Sequence, residues 1–236
     1  MRLPLLLALV CSCAAPTVRH AYIADPVDSH EVQDLQGWSI HVDKALLAGE
    51  GKATGDKALE LLAARLLEVK TVVPAARHAQ LTAVPIWIDL AHPLKTMQYH
   101  PGAAWLEDHG HDVRMEKAVH IPNANGFLDL AETNHQPWVV LHELAHAFHD
   151  RELSFEHKDV RAAYDTAVKT GDYEEVLHIN GSTVRHYALT DHKEYFAEST
   201  EAYFATNDFH PFVRAELRLF DARMFGVLEQ VWGKVR

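Results

Sequence analysis

PWVVLHELAHAFHD, residues 137–150, is the stretch on which the reading of this chain turns. Val139, Val140, Leu141, Leu144 and Ala145 recur at spacings that build one apolar helical face, so the run reads as a helix opening at Pro137. Proline is tolerated in a first turn because its missing N–H would have no partner there. Inside the helix lies His142-Glu143-Leu144-Ala145-His146. Residues four apart stand one above the other, which brings two imidazoles to a single point. That arrangement supplies two ligands for zinc, with Glu143 beside them as general base. With 18 histidines and 33 acidic residues among 236, at most about 0.2 such motifs are expected by chance. The competing reading is a solvent-facing helix whose two histidines have no role.

The length of 236 residues suits one domain of ordinary core size, and 48% hydrophobic with 23% charged residues is the composition of a globular protein. The net charge of −11 and the absence of a basic stripe speak against nucleic acid or an anionic membrane surface as partner. The 18 histidines are spread from His20 to His210 without a tract. At the N-terminus, Arg2 precedes the apolar run Leu3 to Val10 and then Cys11-Ser12-Cys13-Ala14-Ala15, the pattern of an export signal over residues 1–15 and too short to span a bilayer. Val10-Cys11-Ser12-Cys13 also resembles a bacterial lipoprotein signal, in which Cys13 is lipidated and becomes the first mature residue; plain cleavage near Ala14 or Ala15 is the alternative. The protein is therefore expected to be secreted or anchored by lipid to the cell envelope. Both cysteines lie in this segment, so the mature chain is expected to have neither a disulfide nor a cysteine ligand.

Residues 16–35 are polar and read as a linker, leaving 36–236 as a single domain. Trp38 to Val42 alternates as a strand does, and Asp56 to Val69 carries its leucines at helical spacing. A short helix through Leu81 and an apolar strand at 84–90 follow. Residues 92–112 read as loop, where His100, His109, His111, Asp108 and Asp112 suggest a second metal site less well than a polar surface loop. Lys117 to Ile121 alternates again. After the motif, 159–168 reads as an amphipathic helix, 176–187 as a hairpin turning on Asn180-Gly181, 192–205 as a helix, and 212–223 and 222–232 as two more. The expected class is α+β: a small mixed sheet with helices first, a mostly helical half afterwards, and the motif helix between them.

Two histidines leave zinc short of a third protein ligand. His149 shares their face, but seven residues of helix rise about 10.5 Å, too far for one ion to touch both ends. His149 is better placed beside the ligands or at the surface. A third histidine six residues after the second, the metzincin pattern, is absent, because position 152 is Glu152. The stronger source is the run Asp191 to Ser199, in which Glu194 and Glu198 project together from one helix. One can ligate zinc while the other fixes the tautomer of a ligating histidine. The helix is otherwise apolar, with Phe196, Tyr203 and Phe204, and a buried pair of carboxylates is unfavourable without a cation.

His-Glu-Leu-Ala-His followed by Tyr187, six residues, and Glu194-Tyr195-Phe196-Ala197-Glu198 resembles the catalytic domain of anthrax lethal factor and the related Pro-Pro endopeptidases, zincin-fold zinc metallopeptidases. The resemblance covers residues 117–210, and 30–116 correspond only loosely to the mixed α/β lobe such zincins carry. It implies that His142, His146 and Glu194 hold one Zn2+, that Glu143 is the base and that Tyr187 stabilises the transition state. Glu198 would orient a ligand histidine, with Glu201 as the less favoured choice. It further implies that the strand at 117–121 edges the cleft and accepts substrate backbone as an added strand. The large non-catalytic domains of lethal factor have no counterpart here. The expectation is a zinc-dependent endopeptidase acting on peptide or protein outside the cytoplasm; the alternatives are a catalytically inactive zincin-fold binding domain and a helical structural protein with a chance motif.

Overall fold

The computed structural model describes residues 29–235. The export signal at 1–15, lipidation at Cys13 and the first part of the expected linker lie outside the described residues. In chain order the elements are β1 (His30–Leu35), β2 (Trp38–Asp43), α1 (Lys52–Val72), α2 (His78–Thr82), β3 (Ile86–Ile88), β4 (Gln98–Tyr99), α3 (Ala103–Asp108), β5 (Val119–Ile121), α4 (Ala124–Phe127), α5 (Leu130–His135) and α6 (Val139–Phe148). Then follow α7 (Lys158–Thr170), β6 (Val176–Leu177), β7 (Thr183–Val184), α8 (His192–Phe204), α9 (Arg214–Phe220) and α10 (Ala222–Val231). The class is α+β, with a five-stranded mixed sheet upstream and helices dominating downstream. Among the described residues, no helix is long and apolar enough to cross a membrane.

The sheet order is β1-β2-β3-β5-β4, with β2, β3 and β5 parallel and both outer strands antiparallel to their neighbours. Three sequence expectations change here. The linker does not reach residue 35, because His30–Leu35 pairs with β2 through the two-residue turn Gln36-Gly37. Both turn residues have positive φ (57° and 87°), the backbone that matches the twist of a tight hairpin. The stretch 92–112 is not all loop, since it contains β4 and α3. Finally, β5 is interior, between β3 and β4, so the strand exposed at the sheet's end is β4 rather than 117–121. Strand β5 is too apolar for an edge: Val119, His120 and Ile121 are all buried.

Alternation along the strands gives the sheet two different faces. Ile40, Val42, Ile86, Ile88, Val119 and Ile121 line one face and join Leu62, Leu66 and Val69 of α1 and Leu141, Leu144 and Ala145 of α6 in the main core. The opposite face carries the laterally paired row His41, Trp87 and His120. Segment 91–118 covers it, where Leu106, Met115 and Ala118 cluster with Trp87. Several polar groups under that cover pair with one another. Asp89 takes His30 Nε2 at 3.0 Å and His120 Nε2 at 2.7 Å, and His120 Nδ1 meets His100 Nε2 at 3.3 Å. Asp112 is engaged by Arg114, and His109 Nδ1 donates to the Trp105 carbonyl at 2.8 Å. Three of the five residues weighed as a second metal site, His100, His109 and Asp112, are thus spent on other partners, and among the described residues the five form no group that could hold a metal ion.

Downstream, α6 is buried on nearly every side, its residues from Val140 to Phe148 all inside. A solvent-facing helix is therefore the wrong description of the motif. Pro137 lies just ahead of the helix, whose first residue is Val139. The hairpin β6–β7 turns through Ile179, Asn180 and Gly181, not Asn-Gly alone. His178 N–H reaches the Ser182 carbonyl at 2.8 Å, and Gly181 has φ +87°, the form of a three-residue loop.

Burial holds the His100 imidazole down at about 3 and that of His92 at about 4, below an ordinary histidine value of 6.5. Folded protein therefore takes up protons on these rings less readily than unfolded chain does. Their stabilisation is complete above pH 6.5 and declines as pH falls below it, by about 1.4 kcal/mol per pH unit for His100. Asp89 adds a loss only below its unfolded value of 3.8, since hydrogen bonds from His120 and His30 outweigh burial and hold its carboxyl far lower. Urea unfolding from pH 7 to 5 is expected to show a shallower loss of stability in His100→Gln than in the native chain, and equal slopes would contradict this.

Candidate metal centre

Helices α6 and α8 cross so that the motif histidines face the first turn of α8. Asp191 starts that turn by accepting the N–H groups of Lys193 at 2.7 Å and Glu194 at 3.0 Å. Glu194 Oε2 then stands 3.1 Å from His142 Nε2 and 3.2 Å from His146 Nε2, and the two Nε2 atoms are 3.0 Å apart. A tetrahedral zinc ion with bonds of 2.0–2.1 Å spaces its ligand atoms about 3.3 Å apart. The triangle has nearly that size, and two facing imidazole nitrogens with an anionic oxygen fit a borderline-soft divalent cation. His142, His146 and Glu194 thus form a group that could hold a metal ion.

The far side of His142 is equally determined. Its Nδ1–H donates to Glu201 Oε1 at 2.7 Å, which leaves Nε2 with its lone pair turned to the triangle. This is a correction: Glu198, expected in that role, has its nearest oxygen 3.6 Å away from Nδ1, and neither of its oxygens has a hydrogen-bond partner. Burial, reinforced by the neighbouring Glu201 carboxylate, pushes the Glu198 carboxyl well above the usual range. Glu194 behaves oppositely: burial alone would raise it, but the two imidazoles hold it far below an ordinary glutamate.

His149 is fully buried against Phe155 and Phe196, ring centroids 5.2 and 4.6 Å away, and neither ring nitrogen has a partner. Burial holds it at about 3, so it is a neutral packing group. It begins the widened π turn His149–Leu153 that ends the motif helix.

Glu143 and Tyr187 line one cleft of about 410 Å³ together with His142, His146 and Glu194, and Met97, Gln98 and Phe155 are also in its walls. Glu143 Oε2 accepts the backbone N–H of Tyr99 at 2.7 Å, and burial raises its carboxyl above 4.5. Tyr187 stands in the turn 187–189, where His186 Nδ1 accepts the Ala188 N–H at 3.1 Å and so fixes the turn's start. Burial and then the Glu194 charge raise the Tyr187 phenol, which keeps its proton as a donor. Beside the cleft opens an apolar hollow of about 300 Å³, lined among others by Leu61, Ile121, Phe127 and Val140 and sharing Met97 and Val139 with it.

Sequence reasoning brought Glu201 forward only as a second choice and missed Tyr99 and His186 altogether. Position 201 is seven residues after Glu194, hence on the same helical face, and that spacing was the available signal. Comparison of the chain with protein-family models, with curated proteins and with solved structures finds no match in any of the three.

The geometry ranks the acids of α8 for metal binding. Glu194→Ala is expected to lose stoichiometric zinc in chelator competition, and Glu201→Ala to weaken affinity about 10–100-fold. Glu198→Ala is expected to weaken it less than Glu201→Ala does; the reverse order would return the orienting role to Glu198.

Proposed function

We propose that the protein is a zinc-dependent endopeptidase with a zincin-like fold. The observation that carries this reading is the placement of Glu143 and the Tyr187 phenol in one cleft with the His142, His146 and Glu194 triangle. A bound zinc ion would supply Lewis acidity there, polarising a scissile carbonyl and lowering the pKa of an attacking water. Glu143 takes the proton of that water and returns it to the leaving amine, a role helped by a carboxyl whose proton affinity burial has raised. Tyr187 keeps its proton and donates it in a hydrogen bond to the oxygen that gains charge. Glu201 keeps His142 in the tautomer that presents Nε2.

Substrate lies along β4, the strand at the cleft end of the sheet, so a peptide adding to the sheet pairs there and not with β5. The adjoining hollow, with Leu61, Ile121, Phe127 and Val140 in its walls, favours an apolar side chain next to the scissile bond. Action outside the cytoplasm, whether secreted or anchored through Cys13, rests on the sequence of residues 1–15 alone.

Chelator-sensitive cleavage of a random peptide pool tests the activity. Glu143→Ala should retain zinc while kcat falls by about 10²–10⁴. Tyr187→Phe should lower kcat by about 10²–10³ with little change in KM. Zinc bound by the native chain without any hydrolysis would instead identify a catalytically inactive binding domain.

A further inference from the structure

We propose that Tyr99, Asp150 and Lys117 are positioning residues for Glu143, holding the base through the backbone of β4; this rests on the endopeptidase reading above. With Glu143 Oε2 fixed on the Tyr99 N–H at 2.7 Å, Oε1 is the oxygen available to a water. The orientation of the base is therefore only as good as the placement of that N–H.

Strand β4 cannot place it unaided. Its pairing with β5 comprises Gln98↔His120 and Tyr99↔Val119, continued only by His100 with Ala118 and Lys117, and among the described residues its other flank has no strand beside it. So short a strand gains little rigidity from its own ladder. The Tyr99 side chain supplies the missing constraint. Its hydroxyl donates to Asp150 Oδ2 at 2.7 Å, and Lys117 Nζ donates to the same oxygen at 2.6 Å. Asp150 belongs to the π turn that prolongs the motif helix, and Lys117 leads into β5.

Tyr99 is thus tied twice to one helical run: by its N–H to Glu143 and by its phenol to Asp150, seven residues further on. The two ties are about 10 Å apart along that run, so together they fix the strand's direction as well as its distance. Tyr99 is 7% exposed and the Asp150 side chain 14%, which shields the phenol–carboxylate bond from competing water. A peptide that pairs with β4 pulls on the same residue, and the phenol tie keeps the N–H from following it. Small misplacements of a reacting group are expensive in rate, about 10²-fold for 1 Å.

The test uses the zinc-loaded full chain and a cleaved peptide from the pool. Tyr99→Phe and Asp150→Ala are each expected to lower kcat about tenfold, a partial form of that misplacement, with KM and zinc stoichiometry unchanged. Because Tyr99→Phe and Asp150→Ala both remove the phenol–carboxylate bond, the double variant should lose no more than Asp150→Ala alone, which also releases Lys117. Asp150→Asn, which keeps an acceptor for the phenol, should recover most of the kcat lost in Asp150→Ala. Native-like kcat in Tyr99→Phe, a loss confined to KM or zinc content, or losses that multiply in the double variant would overturn the assignment while leaving the endopeptidase reading standing. A native chain that cleaves no peptide would bring down that reading and this assignment together.

Discussion

One imidazole, His142, is held by two carboxylates of a single helix. Glu201 takes its Nδ1–H, and Glu194, two turns earlier on α8, faces its Nε2. The seven-residue spacing puts both acids on one face, so their joint grip sets how α8 lies across α6 as well as which tautomer the ring adopts. Apolar packing supports the same crossing: Phe196 and Phe148 both stack on Trp232 of the C-terminal segment, with centroids 6.1 and 3.9 Å away. Hydrophobic burial would tolerate some sliding of two helices, whereas a 2.7 Å bond between buried polar groups does not.

The parts legible in the sequence were those fixed by local periodicity. The motif helix, α1, α7 and α8 follow from apolar spacing, and the convergence of His142 with His146 follows from helical geometry. The choice between Glu198 and Glu201 was not legible, because both sit on the inward face and only the crossing of two helices decides which reaches Nδ1. Glu198 stops 3.6 Å short of the ring nitrogen, its oxygens unpartnered and its carboxyl raised by burial. Strand β4 escaped notice for another reason: two residues are too few to show alternation, and the Pro93, Pro101 and Gly102 around them read as loop. Strand β1 was hidden by polar composition, although Gln36-Gly37 marks its turn.

The second face of the sheet is built in a manner unusual for an interior. Imidazoles, Asp89 and Trp87 stand where aliphatic side chains would ordinarily pack, and the cover over them, 91–118, is the segment that contributes β4 to the cleft. His100 makes the link direct, since its N–H and carbonyl pair with Ala118 and Lys117 while its ring contacts His120. The base-bearing side of the cleft therefore leans on a polar lattice, and the metal-bearing side leans on an apolar one.

The hairpin that begins at His30 has a practical meaning for anyone cutting the gene. A fragment started at residue 36, just past the polar stretch 16–35, would strip β1 from the sheet and bare the whole flank of Trp38–Asp43. Glu31 and Asp34 now place charge along that border, a usual guard against strand-to-strand association. Shorn of it, the truncated product would offer a ready template to its own copies and tend toward precipitation, however well its interior packs.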